Sequence, residues 1–126
     1  MRILVVDNQF QSRWVIAGWL SAFLDSAAID SAASGQEALT QIAQRRPNLV
    51  LATHPMPEMD GIELARRVKA QANPPAVVVM TDQSDPGFEA QCAAAGAEFC
   101  LEKRHLQARL LGFLQEHFPI RVAHSV

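Results

Sequence analysis

The chain is predicted to be an α/β protein, a doubly wound parallel sheet of five strands with a helix after each strand. Three observations predict this. Five short apolar runs recur along the 126 residues. Amphipathic stretches with helical spacing fill the gaps between them. The runs are also apolar throughout instead of alternating with polar residues, the pattern of strands covered on both faces by helices.

The elements follow in order. Ile3-Leu4-Val5-Val6 is the first strand. Phe10 to about Leu24 has helical spacing, with Ile16, Leu20 and Phe23 within roughly 60° of one another on a helical wheel and Trp19 at the edge of that face. Ala28 to Ala33 is a weak second strand, because alanine and aspartate favour strands poorly. Ser34-Gly35-Gln36-Glu37 is a capping box that opens a second helix with Ala38, Leu39 and Ile42 inward.

Leu49 to Ala52 is the third strand, and Asp60 caps a third helix that carries Leu64 and Val68. After Asn73-Pro74-Pro75, the run Ala76 to Met80 is the fourth strand. Asp85-Pro86 is expected to start a fourth helix, since proline is tolerated in a first turn, and Gly96 to end it. Glu98 to Leu101 is the fifth strand and Leu106 to Phe118 the last helix. The simplest arrangement is the flavodoxin-like order 2-1-3-4-5. One domain, residues 1–118, is expected, followed by a short tail, 119–126, too brief for an output module.

Composition narrows the function classes. Hydrophobic residues make up 49% and charged residues 19% of the chain, a globular balance, and at this length a core needs no staples. A formal charge of −2 gives no electrostatic case for nucleic acid or an anionic membrane. No run reaches the ~18 apolar residues of a membrane span. The apolar run at Ile3 is interrupted by Asp7 and Asn8, too soon for a signal peptide. Cys92 and Cys100, the two cysteines, show neither pairing nor metal-ligand spacing, which favours a reducing cytoplasm.

In a doubly wound sheet, ligands sit outside the carboxyl ends of the strands, near the reversal of strand order. The residues expected there are Asp7 and Asn8, Thr53, Thr81 and Asp82, and Lys103. Leu49 to Gly61, with Met56-Pro57-Glu58-Met59-Asp60-Gly61, Thr81, and Ala95-Gly96-Ala97 leading to Lys103, fall in step with one another. In order and spacing, across essentially the whole chain, these motifs resemble the response-regulator receiver (CheY-like) family.

The resemblance implies a site. In that family two acidic residues after the first strand and an acceptor aspartate on the third hold Mg²⁺, which neutralises charge on a transferred phosphoryl group. A hydroxyl after the fourth strand and a lysine after the fifth contact the phosphoryl oxygens. Here the acidic pair is Asp7-Asn8, and Thr53 holds the acceptor position. Cys100 replaces the aromatic whose rotation reports phosphorylation, and Arg104 replaces a proline after Lys103. Without proline, a cis bond at Lys103–Arg104 costs about 3 kcal/mol, so a trans bond and an altered loop are expected.

Three carboxylates thus become one, and Lys103 brings the pocket to about zero charge. Mg²⁺ sheds water reluctantly and needs anionic oxygens, so its binding is expected to be lost and no cofactor is expected. Relief of carboxylate crowding is worth on the order of 1–2 kcal/mol at a partly solvated site. Thr53 has no adjacent base to activate its hydroxyl, and no catalytic residue is assigned: the chain is not expected to be an enzyme. Thr53 and Thr81 are expected to hydrogen-bond to nearby backbone, and Asp7 and Lys103 to form an internal ion pair or hold an anion.

His54 and His105 lie near the same sheet edge, where with Asp7 they suit a transition metal, while His117 and His124 are expected in solvent. Phe10 and Trp14 fall roughly 120–160° from the core face of the first helix, a contact patch unless Trp14 lies flat on a neighbour. Leu110, Leu111, Phe113, Leu114 and Phe118 form an apolar set wider than one core face requires, which suits a partner or dimer surface. The expected function is a stand-alone, atypical receiver of a two-component-type system, working through a protein partner or a second copy of itself without phosphorylation. Phosphotransfer through Asp82 or Asp60, or sensing of a metal or small ligand at Asp7 and Lys103, are the alternatives.

Overall fold

The computed structural model describes residues 1–119. The strands are β1 (Arg2–Val6), β2 (Ala28–Ala32), β3 (Leu49–His54), β4 (Ala76–Thr81) and β5 (Phe99–Glu102). The helices are α1 (Phe10–Phe23), α2 (Gly35–Arg45), α3 (Gly61–Lys69), α4 (Phe88–Ala94) and α5 (Leu106–His117), with a 3₁₀ turn, Lys103–His105, before α5. The five strands are parallel and ordered β2-β1-β3-β4-β5, as expected. The expected tail lies outside the described residues from position 120 onward, and His124 with it. Among the described residues, no helix is long and apolar enough to cross a membrane.

Alternation along the strands divides the core in two. Leu4, Val6, Val50, Ala52, Val77 and Val79 face α2, α3 and α4. Ile3, Val5, Leu49, Leu51, Val78 and Met80 face α1 and α5. The central strands are therefore buried on both sides. β2, on the edge, is mostly half-exposed, which accounts for its weak apolar signal.

The caps mostly follow the local chemistry. Ser34 Oγ accepts from the Glu37 N–H at 3.1 Å, while Glu37 returns its bond to the Ala33 N–H instead of to Ser34. Asp60 Oδ1 accepts from the Glu63 N–H at 2.9 Å and so caps α3. Gly96 ends α4: its N–H reaches the Ala93 carbonyl, and the Ala97 N–H reaches back to Cys92. The start of α4 differs from expectation. Gly87 has φ of +95°, so Asp85-Pro86 forms a separate turn and the helix begins at Phe88. Several boundaries also shift by one or two residues: β3 runs on through Thr53 to His54, β4 reaches Thr81, β5 spans Phe99–Glu102, and the 3₁₀ turn fills the gap before α5.

One close approach sets the depth of the crevice. A Cβ on Gly61 would stand 2.6 Å from the Thr53 carbonyl oxygen and 2.9 Å from its carbon. Only glycine lets α3 begin directly against the end of β3. Gly61→Ala is expected to lose about 1–3 kcal/mol of stability through overpacking, read as a lower urea midpoint.

Candidate functional site

The strand order reverses between β1 and β3, which opens a crevice where both strands end. Asp7, just past β1, is anchored by its N–H to the Ala32 carbonyl at 3.1 Å, and its side chain is fully buried. Lys103 arrives from the end of β5 and donates Nζ–H to Asp7 Oδ2 at 2.8 Å and to Ser12 Oγ at 3.1 Å. The Gln9 N–H donates to Asp7 Oδ1 at 2.9 Å, and Arg13 donates to the Asp7 carbonyl at 2.7 Å. Burial pushes the Asp7 carboxyl up, but the bonds from Lys103, Ser12 and Gln9, with the Lys103 charge, outweigh it and hold the group below its usual value. The expected internal ion pair is therefore present, and Ser12 is a member the sequence reading missed. Its only signal was its place in the first turn of α1, five residues after Asp7.

Thr53 is buried near the end of β3, a strand that carries no carboxylate. Its Oγ1 has no hydrogen-bond partner among the described residues, contrary to the expected bond to backbone. The cause is geometric: the backbone around it is committed to the sheet, and Thr53 pairs in register with Met80. Thr81 does bond locally, donating to the Gln83 carbonyl at 3.3 Å. Asn8 is exposed beside Asp7.

The histidines do not converge. His54 stacks on Phe88 with ring centroids 5.8 Å apart, and its Nδ1 is 3.5 Å from Asp60 Oδ1 without hydrogen-bond geometry. His105 lies instead beside Glu89, Cys100 and Arg109. No group of three potential metal-ligating His, Cys, Asp or Glu side chains occurs among the described residues. His117 is exposed as expected, although it also stacks on Phe113 at 4.2 Å.

The two expected surfaces fare differently. Phe10 and Trp14 are 67% and 69% exposed on α1, joined by Val15 at 60%. Trp14 therefore does not lie flat on a neighbour. Leu110, Phe113 and Leu114, by contrast, are buried in the core beneath the sheet, so the expected outward surface on α5 does not exist at these residues. The apolar width of α5 is used because the helix packs both on β5 and beside α1, and Phe113 stacks on Phe99 at 5.6 Å. The Lys103–Arg104 peptide is trans; the cis bond among the described residues is His54–Pro55.

Around Lys103, the donors open to a divalent cation are the buried Asp7 carboxylate and the exposed Asp82 carboxylate, both within 4 Å of the ammonium, and the neutral Ser12 hydroxyl. That set does not fit Mg²⁺, which takes its tight protein ligands as anionic oxygens.

Comparison with known proteins identifies the fold and its family. The model of the response regulator receiver domain matches residues 3–115. A protein-glutamate methylesterase/protein-glutamine glutaminase of Nocardioides is 37% identical over 77% of this chain and 26% of its own length. The response regulator MprA of Mycobacterium avium is 31% identical over the full chain and 56% of its own length. The chain thus spans about half, or less, of these curated relatives. The solved chemotaxis protein CheY4 of Vibrio cholerae superposes with a TM-score of 0.79 at 26% identity, covering 91% of this chain and 96% of that one.

Two predictions come from the ion pair and the orphan hydroxyl. Lys103→Met leaves a buried carboxylate unpaired and should lose about 3 kcal/mol at neutral pH, most of it restored by adding Asp7→Asn. A carboxyl held low in the fold stabilises above its unfolded value, 3.8, and loses that contribution as pH falls through its folded value. In Lys103→Met the Gln9 and Ser12 bonds remain but the ammonium is gone, so Asp7 is held low less strongly and the gap from wild type should narrow toward pH 4 in urea titrations. Thr53→Val, which replaces the unpartnered hydroxyl by a methyl, should be neutral or stabilising by about 1 kcal/mol.

Proposed function

The chain belongs to the response-regulator receiver family, and from that membership we propose that it is a receiver that signals by contact with a protein partner, without phosphotransfer. The observation that carries this reading is the neutral Thr53 at the end of β3, beside an Asp7 already claimed by Lys103. A hydroxyl without a base is a poor phosphoryl acceptor, and a carboxylate held by an ammonium is a poor ligand for the Mg²⁺ the transfer needs. On this reading the chain binds no Mg²⁺ and catalyses no reaction.

The exposed Phe10, Trp14 and Val15 on α1 supply the contact surface. Aromatic side chains bring large area at small entropic cost, and a protein partner or a second copy of the chain would bury them. The cytoplasm suits a chain with two unpaired thiols.

A second reading has one observation in its favour. Asp82, beyond β4, is exposed and its carboxylate lies 3.7 Å from Lys103 Nζ, so it is the carboxylate best placed to accept a phosphoryl group in place of Thr53.

Incubation with acetyl phosphate and Mg²⁺ should leave the intact mass unchanged. A labile phosphoryl adduct would overturn the proposal, and its loss in Asp82→Asn would establish the second reading. Restoring Asn8→Asp with Thr53→Asp should recover Mg²⁺ binding, measured by calorimetry. Trp14→Ala should weaken capture of the partner at least tenfold in a pull-down while leaving the thermal midpoint within a few degrees, as expected for an exposed site.

A further inference from the structure

Helix α1 buries Ile16 and Leu20 in the core and leaves its opposite face uncovered, with Gln11, Trp14, Val15, Gly18, Ser21 and Ala22 exposed. On a helical wheel these residues lie within roughly 60° of Gly18, so they form one stripe along the helix. The stripe carries no charge. Arg13, the lone charged residue of α1, lies off it and donates to the Asp7 carbonyl beneath. Bulk is divided unevenly along the stripe. Trp14 and Val15, with Phe10 beside them, project from the N-terminal half, while Gly18, Ser21 and Ala22 leave the C-terminal half low.

Two further features of α1 go unused within the monomer. Gly18 stands mid-helix, where glycine forms helix less well than alanine, yet a Cβ there would meet nothing within 4 Å. The fold itself therefore has no need of glycine at this position, and the missing side chain leaves room for something outside. The helix ends are also uncompensated: no side chain caps the N-terminus, no acidic residue lies in the first turn and no basic residue in the last. Asp25, exposed just past the C-terminal end, opposes the dipole of its own helix.

We propose that α1 docks on α1 of a second copy of this chain, antiparallel, about a two-fold axis at Gly18. Trp14 lies one helical turn before Gly18 and Ala22 one turn after it. An antiparallel crossing at Gly18 therefore sets each Trp14 on Ala22 of the other copy, so that large meets small twice. The absent side chain at Gly18 lets the two backbones approach. The uncapped, positive N-terminus of each helix comes beside the C-terminal end of the other and its Asp25, which supplies the missing charge at both ends. A parallel crossing would set Trp14 against Trp14 and bring like ends together. One face thus carries both halves of its own fit, which selects a second copy over an unrelated protein. The inference rests on the α1 contact surface proposed above and specifies what covers it.

Sedimentation equilibrium on the full chain, from low micromolar to near-millimolar concentration, reads the assembly. A reversible monomer–dimer equilibrium is expected. Gly18→Leu should stay monomeric over that range without a lower thermal midpoint, because leucine has open space in the monomer and fills the crossing point in the dimer. Gly112 of α5 provides the control: a Cβ there also meets nothing within 4 Å, and Gly112→Leu should dimerise as wild type does. Trp14→Ala should weaken the dimer at least tenfold. Asp25→Lys should weaken it more at low salt than at high salt. Wild type that is monomeric throughout overturns the proposal, as does a dimer that survives Gly18→Leu or one that Gly112→Leu abolishes. A monomer that still captures another protein through Trp14 sinks this inference alone, whereas a labile phosphoryl adduct with the dimer intact sinks the earlier reading alone.

Discussion

A buried carboxylate must find a counter-charge, and in this chain Asp7 finds it in Lys103, 96 positions away in sequence. That pair joins the ends of β1 and β5 across the crevice. Through Ser12 it also holds the first turn of α1, and through Arg13 it engages the backbone at Asp7. Asp7 is the one buried carboxylate among the described residues, and the Lys103 ammonium balances it. Lys103 Nζ is correspondingly committed, with Asp7, Ser12 and Asp82 all within 4 Å.

The same crevice is shaped from the other side by packing. Gly61 allows α3 to start against the Thr53 carbonyl, and Asp60 caps that helix beside His54. The floor is thus closely packed, with the Thr53 hydroxyl buried and unpartnered among the described residues. Among the described residues, large aromatic side chains project to solvent on α1 at Phe10 and Trp14, whereas Leu110, Phe113 and Leu114 of α5 are taken up by the core.

The region between α4 and β5 has a distinct chemistry. Phe88 and Cys92 of α4 are sealed against the sheet, while Cys100 keeps one side toward a small cavity.

The sequence by itself determined the strands, the order of elements and most of the caps, because these depend on local periodicity and on side chains bonding their own backbone. It also determined the parallel sheet, since continuous apolar runs such as Leu49 to Ala52 have no other way to be covered. Tertiary structure alone decided the partners. Lys103 meeting Asp7 and Ser12, and Phe113 meeting Phe99, join residues on different elements, and no local pattern encodes those distances. Nor could periodicity decide whether α5 shows its wide apolar face to solvent, because the answer depends on how many neighbours the helix has. Even the start of α4 was settled by a backbone torsion at Gly87, a freedom that glycine permits but does not announce.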